Sequence, residues 1–317
     1  MSKVYELDDA IRTFVHSGDH IAFGGFTTDR KPYAAVHEIL RQGIGDLILE
    51  GGPAGGDADL LIGEGRLKAL INVYCGNSGF TNVCRRFRKA IESGTLLFED
   101  YSLDAQPLMF HAAALGLPYL PIRYMLGSSL AEEWGISEEV RRGIDKLPDQ
   151  KLLIRDNPFS PGEKLVLVPA VSPDVAVIHA QKASPDGTVR IEGSLFTDLD
   201  VAMASKHCIV TCEELVTDEE LRREPGANTI PGFAVTAVVH APYGAHPCQC
   251  YNCYDLDEDY YREYDEASKT DQGFRAFVDR WVYGPKDHGD YIERLGANRL
   301  LDLRVTGGLG FVSSRKG

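Results

Sequence analysis

The chain has 317 residues, 44% of them hydrophobic and 25% charged, and is long enough to bury a sizeable core as one large domain or two smaller ones. Its formal net charge of −14 argues against nucleic acid or an anionic membrane as a partner, because either one requires clustered lysine and arginine. No apolar run approaches the roughly 20 residues of a membrane span, and the first residues lack the apolar core of a secretory signal. We therefore expect a cytoplasmic protein whose seven cysteines are reduced thiols.

Short apolar runs alternate with helical spacing along the first part of the chain. The pattern predicts a helix over residues 7–16, a strand that ends at Gly24, and a second helix over residues 32–43. Two further strands, over residues 46–50 and 69–74, each open onto a loop of small residues. Three predicted strands therefore end in three loops that are rich in glycine.

The same alternation continues in the second half of the chain. Further buried strands are predicted at residues 164–168, 175–179, 208–211 and 235–240. Strands that alternate with helices of about ten residues indicate an α/β fold with a mostly parallel sheet and helices on both faces. We expect a single domain over residues 1–317, in which the turn cluster at residues 156–162 is either an internal boundary or one surface loop.

The first of the three loops has the composition of an anion-binding site. In parallel sheets, ligands lie beyond the carboxyl ends of the strands, and glycine allows a ligand to approach the main chain closely. Neither of the two common nucleotide motifs of glycine loops is present. The residues that follow the glycine pair add hydroxyl groups and cations that suit a carboxylate, a phosphate or an oxyanion, namely Thr27, Thr28, Arg30 and Lys31.

Other polar residues have two interpretations each. Asn77-Ser78-Gly79 either holds a substrate carboxylate or forms an ordinary turn. Arg85, Arg88 and Lys89 share one helix face, which is either solvated or in contact with an acidic substrate or a partner subunit. His179 ends an apolar run, and we interpret it as structural.

The segment from His246 to Cys253 contains four groups that can bind zinc. The Cys250-x-x-Cys253 pair lacks the second, distant pair that structural zinc sites normally have, since only Cys248 lies nearby. We therefore predict no metal site in this chain.

Several motifs together resemble a known family. The run from Gly24 to Pro32 is similar to the glycine-rich signature of the class I coenzyme A transferases. Within that family, further segments are similar to the A subunits of glutaconate CoA-transferases, and the resemblance extends from Ser2 to about Gly310. These segments are residues 15–20, 54–57, 77–79, 85–89, 179–181, 184–191 and 241–247.

The resemblance implies the CoA-transferase-like (NagB/RpiA-like) fold and a division of labour between two subunits. In this family a glutamate attacks the acyl-CoA carbonyl, and CoA then remains on the enzyme as a thioester before it passes to a second acid. That glutamate lies on the B subunit, and no segment of this chain matches its setting. The nearest acid at a strand end is Glu99, which we do not expect to be the nucleophile.

The resemblance also implies the roles of the loop residues. The predicted oxyanion and CoA loop, whose backbone donors would stabilise the tetrahedral intermediates, comprises Gly24, Gly25, Phe26 and Thr27. The predicted substrate-binding residues are Thr28, Arg30, Lys31, Gly55, Gly56, Asn77, Ser78 and Gly79. No catalytic residue is predicted on this chain, because the nucleophile is expected on its partner.

The implied enzyme is a hetero-oligomer that is inactive without its B subunit. It would move CoA from a short acyl-CoA to a dicarboxylic acid, glutaconate or 2-hydroxyglutarate, as in glutamate fermentation, with the CoA thioester as substrate and no bound cofactor. One alternative is a thioester hydrolase, ring hydrolase or decarboxylase of the same fold. A ring hydrolase of this group has an acid where this chain has Leu103, which favours transfer. A non-enzymatic sensor of acyl-CoA or sugar phosphate is a second alternative, but the chain lacks a basic helix-turn-helix region.

Overall fold

The computed structural model describes residues 2–305 and Val312, and strands alternate with helices throughout. The elements of the first part are α1 (Leu7–Phe14), β1 (His20–Phe23), α2 (Tyr33–Arg41), β2 (Leu47–Glu50), α3 (Gly56–Gly63), β3 (Leu67–Asn72), α4 (Arg85–Glu92), β4 (Leu97–Asp100) and α5 (Ala105–Ala114). They are followed by β5 (Tyr119–Ile122), α6 (Ser129–Glu132), α7 (Glu138–Arg142), β6 (Leu153–Asp156), β7 (Lys164–Pro169), β8 (Val175–Ala183), β9 (Val189–Arg190), α8 (Asp198–Ala204) and β10 (His207–Leu215). The last elements are α9 (Asp218–Arg223), β11 (Ala237–His240), α10 (Glu258–Ala267), α11 (Asp271–Val278), α12 (His288–Leu295) and α13 (Ala297–Leu303).

Seven parallel strands form the main sheet, in the order β11-β10-β8-β1-β2-β3-β4, and the short β9 pairs antiparallel with β8. The central strand β1 pairs with β2 and β8, so that Ile21 lies opposite Leu49 on one side and Val175 on the other. All four residues of β1 and all four of β2 are buried, as expected for parallel strands that are covered on both faces. The predicted fold class is thereby confirmed.

Helices cover both faces of this sheet and define two cores. On one face, Phe23 and Leu49 pack against helices that include α1, α2, α3 and α10 to α12. On the other face, Ala22 and Ile48 pack against α5, α8 and the β5-β7-β6 sheet, because successive residues of a strand point to opposite sides. None of the helices within residues 2–305 combines the length and the apolar composition needed to cross a bilayer.

The prediction of a buried strand at residues 164–168 needs correction. These residues belong to β7, which lies in a separate antiparallel sheet of order β5-β7-β6 and exposes Lys164. Only Val166 and Val168 are fully buried, because one face of this small sheet packs on the core and the other does not. The turn cluster at 156–162 forms the hairpin between β6 and β7.

Two buried histidines lie in the helical layer that follows the first loop. His37 in α2 is 1% exposed, and its Nε2 atom has no hydrogen-bond partner among the described residues. Burial and the neighbouring Arg41 hold the pKa of His37 well below its usual 6.5. The ring of His246 forms hydrogen bonds with the Tyr291 hydroxyl at 2.6 Å and the Asp257 carboxylate at 2.9 Å. Burial lowers the pKa of His246 by more than the Asp257 carboxylate raises it, so the net shift is downward. Both side chains are therefore neutral in the folded protein at pH 7.

We predict that acidification destabilises the fold and that His37→Leu reduces this effect. Below about pH 6.5 the unfolded chain binds a proton at His37 that the folded chain does not, so stability falls as the pH falls. Between pH 7.5 and 5.5 the variant should lose about 1 kcal/mol less unfolding free energy than the unmodified chain. Urea unfolding at both pH values measures the difference, and unfolding at pH 8 gives the effect of the substitution itself. Identical pH dependence would contradict the prediction.

Candidate functional site

The three glycine-bearing loops follow adjacent strands of the main sheet and comprise residues 24–32, 51–55 and 73–84. They contact one another directly. The backbone N–H of Thr27 donates to Pro53 O at 2.9 Å, and the hydroxyls of Thr27 and Ser78 lie 3.1 Å apart. The N–H of Gly56 donates to Asn77 Oδ1 at 2.8 Å. The structure therefore brings predicted site residues from all three loops together.

The first loop has an unusual backbone. Three of its residues have positive φ angles, with Gly25 at 72°, Thr27 at 45° and Arg30 at 55°. Phe26 and Asp29 exchange two backbone hydrogen bonds of 2.8 Å, so Thr27 and Thr28 form the tip of a very short hairpin. Non-glycine residues rarely adopt positive φ unless the surrounding structure holds them there, and such residues cluster at functional sites.

All four N–H groups of the predicted oxyanion loop are already engaged. The N–H groups of residues 24–27 donate, in order, to Val177 O at 2.9 Å, Asp198 Oδ1 at 3.1 Å, Asp29 O at 2.8 Å and Pro53 O at 2.9 Å. Within residues 2–305, the N–H groups of Thr28 and Gly52 have no acceptor. The N–H groups of residues 24–27 thus fix the loop in the isolated chain, and the N–H of Thr28 is free.

Arg30 is not available to a substrate carboxylate. Its side chain is 1% exposed, and it donates to Asp198 Oδ2 at 2.7 Å, His179 O at 2.7 Å and Ser194 O at 2.9 Å. Burial lowers the pKa of Arg30, but the Asp198 carboxylate more than offsets this effect. The net shift of the pKa is upward, so the guanidinium remains charged. The predicted binding role is replaced by a role inside the loop.

Lys31 is likewise buried, at 1% exposure, with its Nζ atom 3.6 Å from Asp57 Oδ2. Asp57 Oδ1 accepts the N–H of Gly55 at 2.7 Å, so this pair supports the second loop instead of facing a ligand. Of the predicted substrate-binding residues, Ser78 and Gly79 are exposed and Thr28 is partly exposed.

Two residues that the sequence analysis did not select help to shape the site. Asp198 binds both Gly25 and Arg30 from the start of α8. The backbone carbonyl of Gln249 accepts the N–H of Arg30 at 2.9 Å, and the N–H of Gln249 donates to Thr28 O at 3.1 Å. Both lie more than 160 residues from the loop, and their own sequence surroundings carry no signal for these contacts.

An apolar surface borders the first loop. The rings of Phe26 and Phe196 stack with centroids 4.5 Å apart, and Phe196 is 43% exposed. Leu195, the residue before Phe196, and Leu199, three residues after it, are each 46% exposed. We call Phe26, Leu195, Phe196 and Leu199 the apolar rim.

The cationic face of α4 is largely paired. Arg85 makes a two-pronged contact with Asp265 at 2.8 and 2.9 Å, and Lys89 binds Asp271 at 2.6 Å. Among the described residues, Arg88 has no charged partner and is exposed. This face lines a cavity of about 420 Å³ next to the third loop.

Three groups that can bind metal meet below the first loop, at His179, Glu213 and Cys250. His179 Nε2 and Glu213 Oε1 are 2.6 Å apart, which is a hydrogen-bond length, whereas two ligands of a tetrahedral zinc ion lie about 3.3 Å apart. Glu213 Oε1 also accepts the Tyr254 hydroxyl at 2.8 Å. Among the described residues, these contacts form a hydrogen-bond network.

Glu99 lies at the end of β4 and is fully buried. Its carboxylate contacts Arg141 at 2.5 Å and Lys151 at 2.8 Å, and it accepts the N–H groups of Gly135 and Ile136. Burial raises the pKa of Glu99, but the hydrogen bonds from Lys151 and Arg141 outweigh it, and the net shift is downward. Its paired, buried carboxylate has no access to the surface of the isolated chain.

The sequence model of the coenzyme A transferase family matches residues 4–241, and the chain belongs to that family. The chain is 62% identical over 311 residues to the A subunit of glutaconate CoA-transferase from Acidaminococcus fermentans, covering 98% of this chain and 97% of that one. It superimposes on the crystal structure of glutaconate coenzyme A-transferase from the same organism with a TM-score of 0.96, covering 98% of each chain. It is also 34% identical to the A subunit of 3-oxoadipate CoA-transferase from Pseudomonas knackmussii, over 94% of this chain and 100% of that one. The family expected from the sequence is thereby confirmed.

We predict that Gly25→Ala abolishes activity of the assembled enzyme, whereas Gly43→Ala, just after α2 and outside the three loops, has a small effect. Both glycines have positive φ, at 72° and 71°. A Cβ at Gly25 would lie 2.5 Å from Asp29 O, but a Cβ at Gly43 would meet no atom within 4 Å. The backbone strain common to both is about 1 kcal/mol, so only the first variant should displace the loop. Turnover of the two variants in the same complex checks this, and equal loss would contradict it.

We predict that Glu99→Gln lowers the unfolding free energy by about 3–5 kcal/mol, because it leaves the charges of Arg141 and Lys151 buried without a counter-ion. The matched control is Glu163→Gln, which breaks the exposed ion pair with Arg123 and should change stability by less than about 1 kcal/mol. Urea unfolding of both variants tests the contrast. Equal midpoints would show that the Glu99 cluster is not a major contribution to stability.

Proposed function

We propose that this chain is the A subunit of a heteromeric CoA-transferase that moves CoA from a short acyl-CoA to glutaconate or 2-hydroxyglutarate. The support is the 62% identity over nearly the full length of a glutaconate CoA-transferase A subunit, together with the geometry of the loops. The observation that carries the mechanism is the free N–H at Thr28, which lies at the tip of a loop whose N–H groups at residues 24–27, 29 and 30 are engaged.

The proposed reaction begins with a glutamate of the B subunit. Its carboxylate adds to the thioester carbonyl, and collapse of the tetrahedral intermediate expels CoA as thiolate and leaves a mixed anhydride. The thiolate then attacks the glutamyl carbonyl, which releases the first acid and forms a thioester on the enzyme. The second acid repeats these steps in reverse and leaves as acyl-CoA. CoA is thus a substrate throughout, and no bound cofactor is required.

The role of this chain is to bind the charge that develops on the carbonyl oxygen. The N–H groups of Thr28 and Gly52 are the proposed donors, because both are unengaged and both flank the contact between Thr27 and Pro53. Donors that are fixed before the reaction need no reorganisation, and each is worth roughly 10²–10³ in turnover.

The proposed acid-binding groups lie on the third loop and at the hairpin tip. Within residues 2–305 the N–H groups of Ser78 and Gly79 have no acceptor, and both residues are exposed. The Ser78 hydroxyl lies 3.1 Å from that of Thr27, so the acid would bind next to the oxyanion donors. Asn77 is engaged with Gly56 through its Oδ1 atom and supports this loop.

We propose that the B subunit covers the apolar rim and brings its glutamate to the loops. Clustered exposed aromatic and aliphatic side chains beside a polar site are typical of interface cores. The assembled enzyme would act in the cytoplasm, where acyl-CoA is available.

The test is to co-express the chain with the candidate B subunit from its genomic neighbourhood and to assay CoA exchange from acetyl-CoA to a panel of dicarboxylic acids. We expect exchange with glutaconate or 2-hydroxyglutarate by the complex and none by either chain alone. Borohydride reduction after incubation with acyl-CoA alone, followed by peptide mass spectrometry, should locate the modification on the B subunit.

Two outcomes would overturn the proposal. Turnover by the isolated chain would show that it carries its own nucleophile. Release of free thiol by the complex without any acceptor acid, at a rate equal to that with acceptor, would identify a hydrolase.

A further inference from the structure

We infer that Asp198 is a positioning residue for the oxyanion donor, acting on Thr28 through Gly25 and Arg30. This inference rests on the proposed function, because it concerns the donor that the transfer reaction uses. Asp198 itself is 1% exposed and lies behind the loop, so it does not touch substrate.

One carboxylate binds the loop at both of its ends. Asp198 Oδ1 accepts the N–H of Gly25 at 3.1 Å, before the hairpin tip, and the guanidinium of Arg30 at 3.2 Å, after the tip. Asp198 Oδ2 accepts a second hydrogen bond from Arg30 at 2.7 Å. The tip residues Thr27 and Thr28 are therefore held between two points that share a single anchor.

The Asp198 carboxylate packs closely against the first loop. A Cβ at Gly24 would lie 2.3 Å from Asp198 Oδ1, so the carboxylate packs directly against the main chain. Within residues 2–305 the N–H of Gly25 has no acceptor other than Asp198. Displacing this oxygen would release the turn at Gly25 and, through the paired Phe26 and Asp29, shift the N–H of Thr28.

Two functions of Asp198 must be separated experimentally, namely neutralising the buried charge of Arg30 and holding Gly25. The background Arg30→Met removes the charge. In this background, Asp198→Asn keeps an oxygen that accepts the N–H of Gly25, whereas Asp198→Val has no such acceptor. The two double variants therefore differ in that acceptor, and neither carries a buried charge at position 30 or 198.

The experiment measures steady-state exchange, thermal unfolding and assembly of both double variants in the complete A–B complex. We expect the Val variant to have a kcat about 10- to 100-fold below that of the Asn variant, with the KM for acyl-CoA changed less than about twofold. The reason is that a shifted donor weakens binding of the oxyanion and not of the ground-state thioester. Equal kcat values, with both complexes assembled, would overturn the inference.

The single variant Asp198→Glu serves if either double variant fails to assemble. It keeps the charge that neutralises Arg30 but moves the carboxylate by one methylene toward the main chain at Gly24. An assembled complex with a kcat reduced at least tenfold supports the inference, and an unchanged kcat overturns it. A complex of unmodified chains that transfers no CoA would instead refute the proposed function, so the two failures are distinguishable.

Discussion

The buried contact between Asp198 and the first loop is the constraint on which the site depends. Burying a carboxylate and a guanidinium together is unfavourable unless their hydrogen bonds are satisfied. Here Arg30 also donates to two backbone carbonyls, and Asp198 also accepts the N–H of Gly25, so both charged groups are well satisfied. This arrangement holds a backbone that contains three positive φ angles. The hydrogen bonds of Thr27 with Pro53 and of the hairpin with Gln249 hold the same turn together with it.

The parallel sheet places the first loop beside the second and third loops. Because β1, β2 and β3 are adjacent and run in the same direction, their following loops meet at one edge. Most polar groups in these loops bind one another, as with Thr27 and Pro53 or Gly56 and Asn77. Only a few N–H groups remain for a ligand, and they are fixed in place by the groups that are engaged. Donors that are fixed before a reaction can stabilise a developing negative charge without reorganisation.

The fold class and the location of the loops could be predicted from the sequence, because they depend on local periodicity and on glycine at strand ends. The family was predicted from the resemblance of its motifs, such as the run from Gly24 to Pro32. The direction of individual side chains could not be predicted in the same way. Arg30 and Lys31 resembled ligands of an anion, but their partners Asp198 and Asp57 are buried beside them, and Asp198 is 168 residues away from Arg30 along the chain. The strand at 164–168 has the composition of a buried strand, and only its antiparallel pairing in the small sheet shows that it is half exposed.

The apolar rim has a consequence for how cells must produce this polypeptide. Its leucine and phenylalanine side chains face water in the unassembled chain, whatever covers them later. Surplus copies would expose this apolar surface to one another and to unrelated proteins, which promotes aggregation. Balanced translation of both polypeptides, as from a shared messenger RNA, would limit that surplus. The exposure of Leu195, Phe196 and Leu199 thus favours matched synthesis of the two subunits.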